Sequence, residues 1–195
     1  MLPIIYKEHI KPTLNTYTSI CRIMKLIFTY QNNEKNKVAK GEKIQQKEKL
    51  DADEENEFKK VSERFEKLCK AAAKNRVPLY IDAEESWIQN PLDELVEEMM
   101  AKYNRETCVI FNTFQMYRWD RLAYLKLQIE KAKTGNYFLG AKLVRGAYME
   151  KERERAALEH YKSPIHKNKK GVDQDFDEAI NICLDNIERV FVCVA

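Results

Sequence analysis

From residue 58 onward the apolar positions follow two alternating rhythms. Phe58, Val61, Phe65, Leu68 and Ala72 recur at helical spacing, and Arg76 and Pro78 end that helix. Leu79-Tyr80-Ile81 is a short apolar run of the kind that forms a buried strand. Asn90-Pro91 predicts a new helix, with Asn as cap and Pro in the first helical position, and Leu92, Leu95, Val96, Met99 and Tyr103 form its apolar face. Cys108 to Phe111 predicts a second strand. Trp119, Leu122, Leu125, Ile129 and Ala132 mark a helix closed by Gly135 at its C-cap, and Phe138 to Val144 a third strand. Helices are expected over 149–161 and 175–188, the second with Phe176, Ala179, Ile180, Cys183 and Ile187 inward, before a fourth strand over 190–194. Strands and helices alternating at roughly 30-residue spacing are the pattern of βαβ units around a parallel sheet, so the fold class is α/β.

Upstream of residue 58 this order dissolves. Gln31 to Gln46 is Asn, Gln, Lys and Glu with only Val38, Ala39 and Ile44 apolar, and an acidic run (Asp51, Asp53, Glu54, Glu55, Glu57) follows. Such a segment buries too little surface to offset its ordering entropy and reads as a linker or exposed helix. The acidic run fails as a calcium loop: counting from Asp51, Asn56 stands where glycine is required and Ser62 where glutamate is. Residues 1–30 carry Ile20, Ile23, Met24 and Ile27 among Lys7, Lys11, Arg22 and Lys25, with Glu8 their only acid. That pattern suits a weak mitochondrial presequence or a loosely docked helix. The chain therefore divides into a helical or disordered extension with a charged linker, 1–54, and a globular part, 55–195.

Composition narrows the class further. With 34 Lys+Arg against 31 Asp+Glu the net charge is +3, which gives no footprint for nucleic acid. A chain that is 44% hydrophobic with five Gly and five Pro is neither disordered throughout nor collagen-like. No apolar run approaches the ~18 residues of a membrane span. Cys21, Cys69, Cys108, Cys183 and Cys193 are odd in number and form no CxxC pair, so they read as buried reduced thiols of an intracellular protein, not a disulfide frame or zinc site. At 195 residues the chain is too short for a complete eight-stranded α/β barrel, which needs about 250.

In parallel α/β folds, ligands bind at the carboxyl ends of the strands. Here those ends are polar. The first runs into Asp82-Ala83-Glu84-Glu85, the second into Asn112-Thr113-Phe114-Gln115, and the third carries Lys142 and continues into Arg145-Gly146-Ala147-Tyr148. Any one of these could be a helix cap or a supporting hydrogen bond; their recurrence along one edge points to a site. Strand alternation puts Gly140, Lys142 and Val144 on one face and Ala141 and Leu143 on the other. The Lys142 ammonium needs an anionic or electron-rich ligand, or an internal ion pair with Asp82. Gly146, lacking a Cβ, would admit close approach of a flat or phosphorylated ligand. Neither GxGxxG nor GxxxxGK[ST] occurs, no Ser, His and Cys form a nucleophilic constellation, and His160 and His166 lack a third ligand, so no metal is expected.

The strand-end segments Tyr80-Ile81-Asp82-Ala83-Glu84-Glu85-Ser86-Trp87, Phe111-Asn112-Thr113-Phe114-Gln115-Met116-Tyr117 and Gly140-Ala141-Lys142-Leu143-Val144-Arg145-Gly146-Ala147-Tyr148 resemble those of the proline dehydrogenase family, mitochondrial flavoenzymes. Met149 to Arg153 and Tyr161 to Ile165 continue the likeness, which covers about residues 55–195. The resemblance implies a distorted (β/α)8 barrel of the TIM type that holds FAD and oxidises L-proline to 1-pyrroline-5-carboxylate, passing electrons to a quinone at the matrix side of the mitochondrial inner membrane. It implies catalytic roles for Asp82, Lys142 and Tyr148, and flavin contacts from Gln115, Lys142, Val144, Arg145, Gly146 and Ala147.

The family barrel continues past its fifth strand to a flavin-contacting histidine and an arginine pair for the proline carboxylate. This chain ends at Ala195, and a first strand with its carboxylate-binding lysine is not recognisable upstream of residue 58. Asn168 to Asp173 also lacks the small hydroxylated residues expected there. The expected object is thus a partial barrel with half of a flavin shell, and the competing expectation is an inactive fragment that serves as an interaction module or is unstable.

Overall fold

The computed structural model describes residues 52–195. Residues 1–30, read as a weak presequence or a loosely docked helix, the Asn- and Gln-rich linker and Cys21 lie outside the described residues. The elements follow in the order α1 (Ala52–Asn75), β1 (Leu79–Ile81), α2 (Ser86–Tyr103), β2 (Ile110–Gln115), α3 (Arg121–Gly135), β3 (Leu139–Val144), α4 (Met149–Leu158), α5 (Lys169–Asp185) and β4 (Val190–Val194). The four strands form one parallel sheet in sequential order. This is the α/β architecture that the alternating pattern predicts.

The two faces of the sheet differ. Ile81, Ile110, Phe114, Leu139, Ala141, Leu143 and Val190 are fully buried and share one core with Phe65 and Cys69 of α1, Val96 and Met100 of α2, Leu125 and Ile129 of α3, and Phe176 and Cys183 of α5. On the other face, register aligns Tyr80, Phe111, Gly140 and Phe191 in one row, and Thr113, Lys142 and Cys193 in the next but one. Tyr80 stacks on Phe111 with ring centroids 4.7 Å apart. Tyr80, Lys142, Val144 and Cys193 on this face are only half-buried. Lys142 therefore stands on the more open face, as alternation requires.

Several boundaries differ from expectation for physical reasons. Helix α2 starts at Ser86, four residues before the expected Asn90 cap, and Pro91 lies inside it, buried. Its first turn is held from a distance by Glu152, an interaction that local sequence does not reveal. Strand β2 begins two residues later than expected and runs on through polar Asn112, Thr113 and Gln115, all buried, because each has a hydrogen-bonding partner. At the end of α3 the left-handed cap is Asn136, with φ of 51°, and not Gly135. Helix α5 spans Lys169–Asp185, opened by Asn168, whose Oδ1 accepts the Gly171 N–H; Ile187 lies beyond it and is exposed. Helix α4 stops at Leu158. Trp119 precedes α3 and faces outward, donating its indole N–H to the Ser163 carbonyl.

Asn104, fully buried after α2, donates to the carbonyls of Ile110 and Phe138 and accepts from the N–H groups of Val109 and Ile110. One side chain thereby ties the α2–β2 turn to the entry of β3.

Candidate active site

The carboxyl edge of the sheet gathers the loops after β1, β2 and β3. Lys142 Nζ lies 2.7 Å from Asp82 Oδ1, across the intervening strand β2; the side chains are 21% and 42% exposed. The internal ion pair considered from sequence therefore forms, yet both groups keep access to the open face. Gln115, at the end of β2, uses both ends of its amide. Nε2 donates to the Glu84 carbonyl at 2.8 Å, and Oε1 accepts the Ala147 N–H at 3.3 Å. It thus bridges the loop after β1 to the loop after β3.

Tyr148 points its hydroxyl at Glu84 Oε2, 3.5 Å away, at the long limit of a hydrogen bond. Burial first, then the Glu84 and Glu85 carboxylates, push its phenol up to about 12. Tyr148 consequently keeps its proton throughout the neutral range and can only donate or accept a hydrogen bond there.

The segment 145–147 is exposed, and Gly146 has φ of 135°. A Cβ on Gly146 would fall 2.5 Å from the ring of Tyr117, so the glycine lets the backbone lie flat on that buried ring. Arg145 turns away from this edge. Its Nε donates to Asp173 Oδ1 at 2.9 Å and its guanidinium sits 4.2 Å from the Phe176 ring centroid, both on α5. Of the residues singled out in sequence, Asp82 and Lys142 meet directly, and Gln115, Ala147 and Tyr148 form a second group joined directly or through Glu84. Val144 shares their face, Gly146 shapes the backbone, and the Arg145 side chain lies to one side.

Sequence reasoning missed the buried support behind this edge. Asp93 accepts from Arg121 Nη1 at 2.7 Å and Nη2 at 3.1 Å, from Gln89 Nε2 at 2.9 Å and from Asn112 Nδ2 at 2.8 Å. Gln89 Oε1 in turn accepts the Glu84 N–H at 2.7 Å. The signal was present, since Gln89 and Asp93 are four apart on a helix face otherwise lined by Leu92, Val96 and Met100.

The remaining titratable candidates fall elsewhere. His166 Nε2 meets Asp175 Oδ2 at 2.7 Å, and no group of His, Cys, Asp and Glu among the described residues could hold a metal ion. Burial pushes the thiols of Cys69, Cys108 and Cys183 up to about 12, so they stay un-ionised in the neutral range; Cys193 is half-buried on β4.

The family model for proline dehydrogenase matches residues 8–195. The chain belongs to the proline dehydrogenase family. The match starts well upstream of the motifs that carry the resemblance. Among curated relatives, proline dehydrogenase 1, mitochondrial, of Drosophila melanogaster is 34% identical over 140 residues, covering 72% of this chain and 21% of that protein. The Homo sapiens protein of the same name is 34% identical over 137 residues, covering 70% and 23%. A hydroxyproline dehydrogenase of Xenopus laevis is 32% identical over 124 residues, covering 64% and 27%. This chain thus spans about a quarter of the length of such relatives. Among solved structures, proline utilization A of Bdellovibrio bacteriovorus, inactivated by N-propargylglycine, superimposes with a TM-score of 0.67 at 19% identity over 72% of this chain and 15% of that one. The Bradyrhizobium japonicum protein gives 0.64 over 69%. The fold of this proline dehydrogenase family member is accordingly four consecutive strands of a TIM-type barrel with their helices.

Proposed function

We propose that the chain contributes the strand-end half of a flavin site in an enzyme that oxidises L-proline to 1-pyrroline-5-carboxylate, the first step of proline catabolism. The observation that carries this reading is the Lys142–Asp82 pair on the open face, flanked by Gln115 and by the exposed backbone of residues 145–147. This donor set fits a flat, FAD-type ring: one ammonium, one amide and exposed backbone around a half-open face. Lys142 and the second Nε2 hydrogen of Gln115 are the proposed hydrogen-bonding partners of the ring, with Val144 and the backbone of Arg145, Gly146 and Ala147 along its edge. Bound flavin would supply the two-electron acceptor for the carbon–hydrogen bond beside the proline nitrogen.

The residues of the chain have simpler tasks. Lys142 would set its ammonium beside the ring, where it would offset the negative charge of a reduced flavin, and Asp82 orients that ammonium. Tyr148 holds its phenolic proton and offers the substrate a neutral hydrogen bond. Gln115 sets the spacing of the two loops. The relatives named as mitochondrial support a mitochondrial location; a place at the matrix side of the inner membrane and a quinone as electron acceptor are part of the proposal. No described helix is long and apolar enough to cross a membrane; the membrane association we propose is a peripheral one. The hydroxyproline dehydrogenase among the relatives makes hydroxyproline the substrate to test beside L-proline.

The test is reconstitution of the full chain with FAD. A yellow protein that reduces a dye with L-proline is expected; a colourless, aggregating product would sink the reading. That outcome would favour the inactive interaction module, for which the apolar β4 is the supporting feature, with Phe191 37% and Val194 52% exposed. Lys142→Ala is expected to weaken FAD retention about 10- to 100-fold, the range of one charged hydrogen bond. Lys133→Ala, which removes an exposed cation paired with Glu130, is the control and should leave retention unchanged. Equal retention in the two variants would strip Lys142 of its role.

A further inference from the structure

We infer that Glu152 is a positioning residue of this site: its buried carboxylate clamps the loop bearing Asp82 and Glu84 to the loop bearing Tyr148, so that the two move as one unit. The effect on flavin and substrate rests on the reading above; the clamp itself does not.

Glu152 lies in the first turn of α4 and is fully buried. Its Oε1 accepts the Ser86 N–H at 2.6 Å and its Oε2 the Ser86 hydroxyl, also at 2.6 Å. Burying a carboxylate is costly unless its oxygens are satisfied, and here both are spent on one residue of another helix. Ser86 is the first residue of α2, whose preceding residue, Glu85, makes no side-chain cap. A helix start leaves N–H groups without partners and carries partial positive charge, so a carboxylate there is doubly favourable.

An ordinary cap would come from the adjacent residue. This one comes from 66 positions away. Helix α2 follows β1 and α4 follows β3, so the clamp reaches across the end of β2, which separates them. Beneath it, Gln115 joins Glu84 to Ala147, and Lys142 joins β3 to Asp82. Beside it, Lys151 Nζ reaches Glu85 Oε1 at 2.9 Å on the exposed side. Tyr117, the ring under Gly146, feels the same carboxylate: burial first and then the Glu152 charge push its phenol upward. The buried pair at Ser86 is the member of this set that water cannot replace, so its loss should loosen the others.

The test uses the full chain, residue-resolved amide hydrogen exchange and FAD titration on Glu152→Ala, Glu152→Gln and Ser86→Ala. Glu152→Ala is expected to speed exchange at both Ser86 and Ala147, and to weaken FAD binding, each by about tenfold or more. Ser86→Ala should move all three in the same direction by less, and it decides the matter if Glu152→Ala does not fold. Glu152→Gln should restore protection, since its amide oxygen can accept the Ser86 N–H while its NH2 donates to Ser86 Oγ. Faster exchange at Ser86 with Ala147 unchanged would overturn the inference and leave Glu152 as a helix cap alone. If the unmodified chain takes up no FAD, the flavin reading fails, and the exchange at Ala147 still decides the clamp.

Discussion

Arg121→Ala is expected to destabilise the fold by about 3–5 kcal/mol, the cost of leaving a buried charge without its partner. The guanidinium and the Asp93 carboxylate are each only 3% exposed and meet through two hydrogen bonds. Arg121 also lies 4.1 Å from the Tyr124 ring centroid, so truncation removes packing as well as charge. For a chain of this size that corresponds to a melting temperature lower by about 10 °C. The comparison is Lys126→Ala, whose pair with Glu178 is half-exposed on both sides and should contribute less than about 1 kcal/mol. Denaturant unfolding of the two variants measures the difference directly. Equal midpoints would mean that the Asp93 network is dispensable. Because Gln89 links Asp93 to the Glu84 N–H, the loop after β1 should loosen together with the core.

Gly140→Ala is expected to cost about 3 kcal/mol or more, at or beyond the upper end of overpacking penalties, and to leave little soluble folded chain. A Cβ at this position would sit 2.2 Å from the Ile110 carbonyl oxygen and 2.9 Å from Phe111 Cα. Both are backbone atoms of the neighbouring strand, so relief requires β2 and β3 to separate and not merely a rotamer change. Gly171→Ala is the milder comparison: there the nearest atom is Nδ1 of the His166 side chain, whose displacement strains only its bond to Asp175 and no strand backbone, and alanine is the better helix former. Soluble yield and thermal unfolding distinguish them. A Gly140→Ala chain as stable as the Gly171→Ala chain would mean that the sheet tolerates the extra carbon.

These two effects differ in how far the sequence announced them. The alternation of Gly140, Lys142 and Val144 correctly put Lys142 on the half-open face, because side-chain direction in a strand depends only on parity. That Gly140 permits close approach of Phe111 could not be read, since register with β2 is a property of the assembled sheet. Likewise the order of Asp82, Gln115 and Lys142 at three successive strand ends was legible from motif spacing. The bridge of Gln115 to Glu84 and Ala147, and the sideways turn of Arg145 to α5, were not.

The α/β class, the order of strands and helices and the polar edge of the sheet were all legible in the amino-acid order. Those follow from periodicity, which each segment carries within itself. The tertiary structure decided where polar residues could be buried. Asn112, Thr113, Asp93, Arg121 and Glu152 are all inside, against their solubility in water, because each meets a partner brought from elsewhere in the chain. Such pairings separate residues by up to 66 positions, and no local pattern encodes them. For the same reason α2 begins at Ser86, ahead of the expected Asn90: the carboxylate that caps it is that of Glu152, which only the folded chain brings to Ser86.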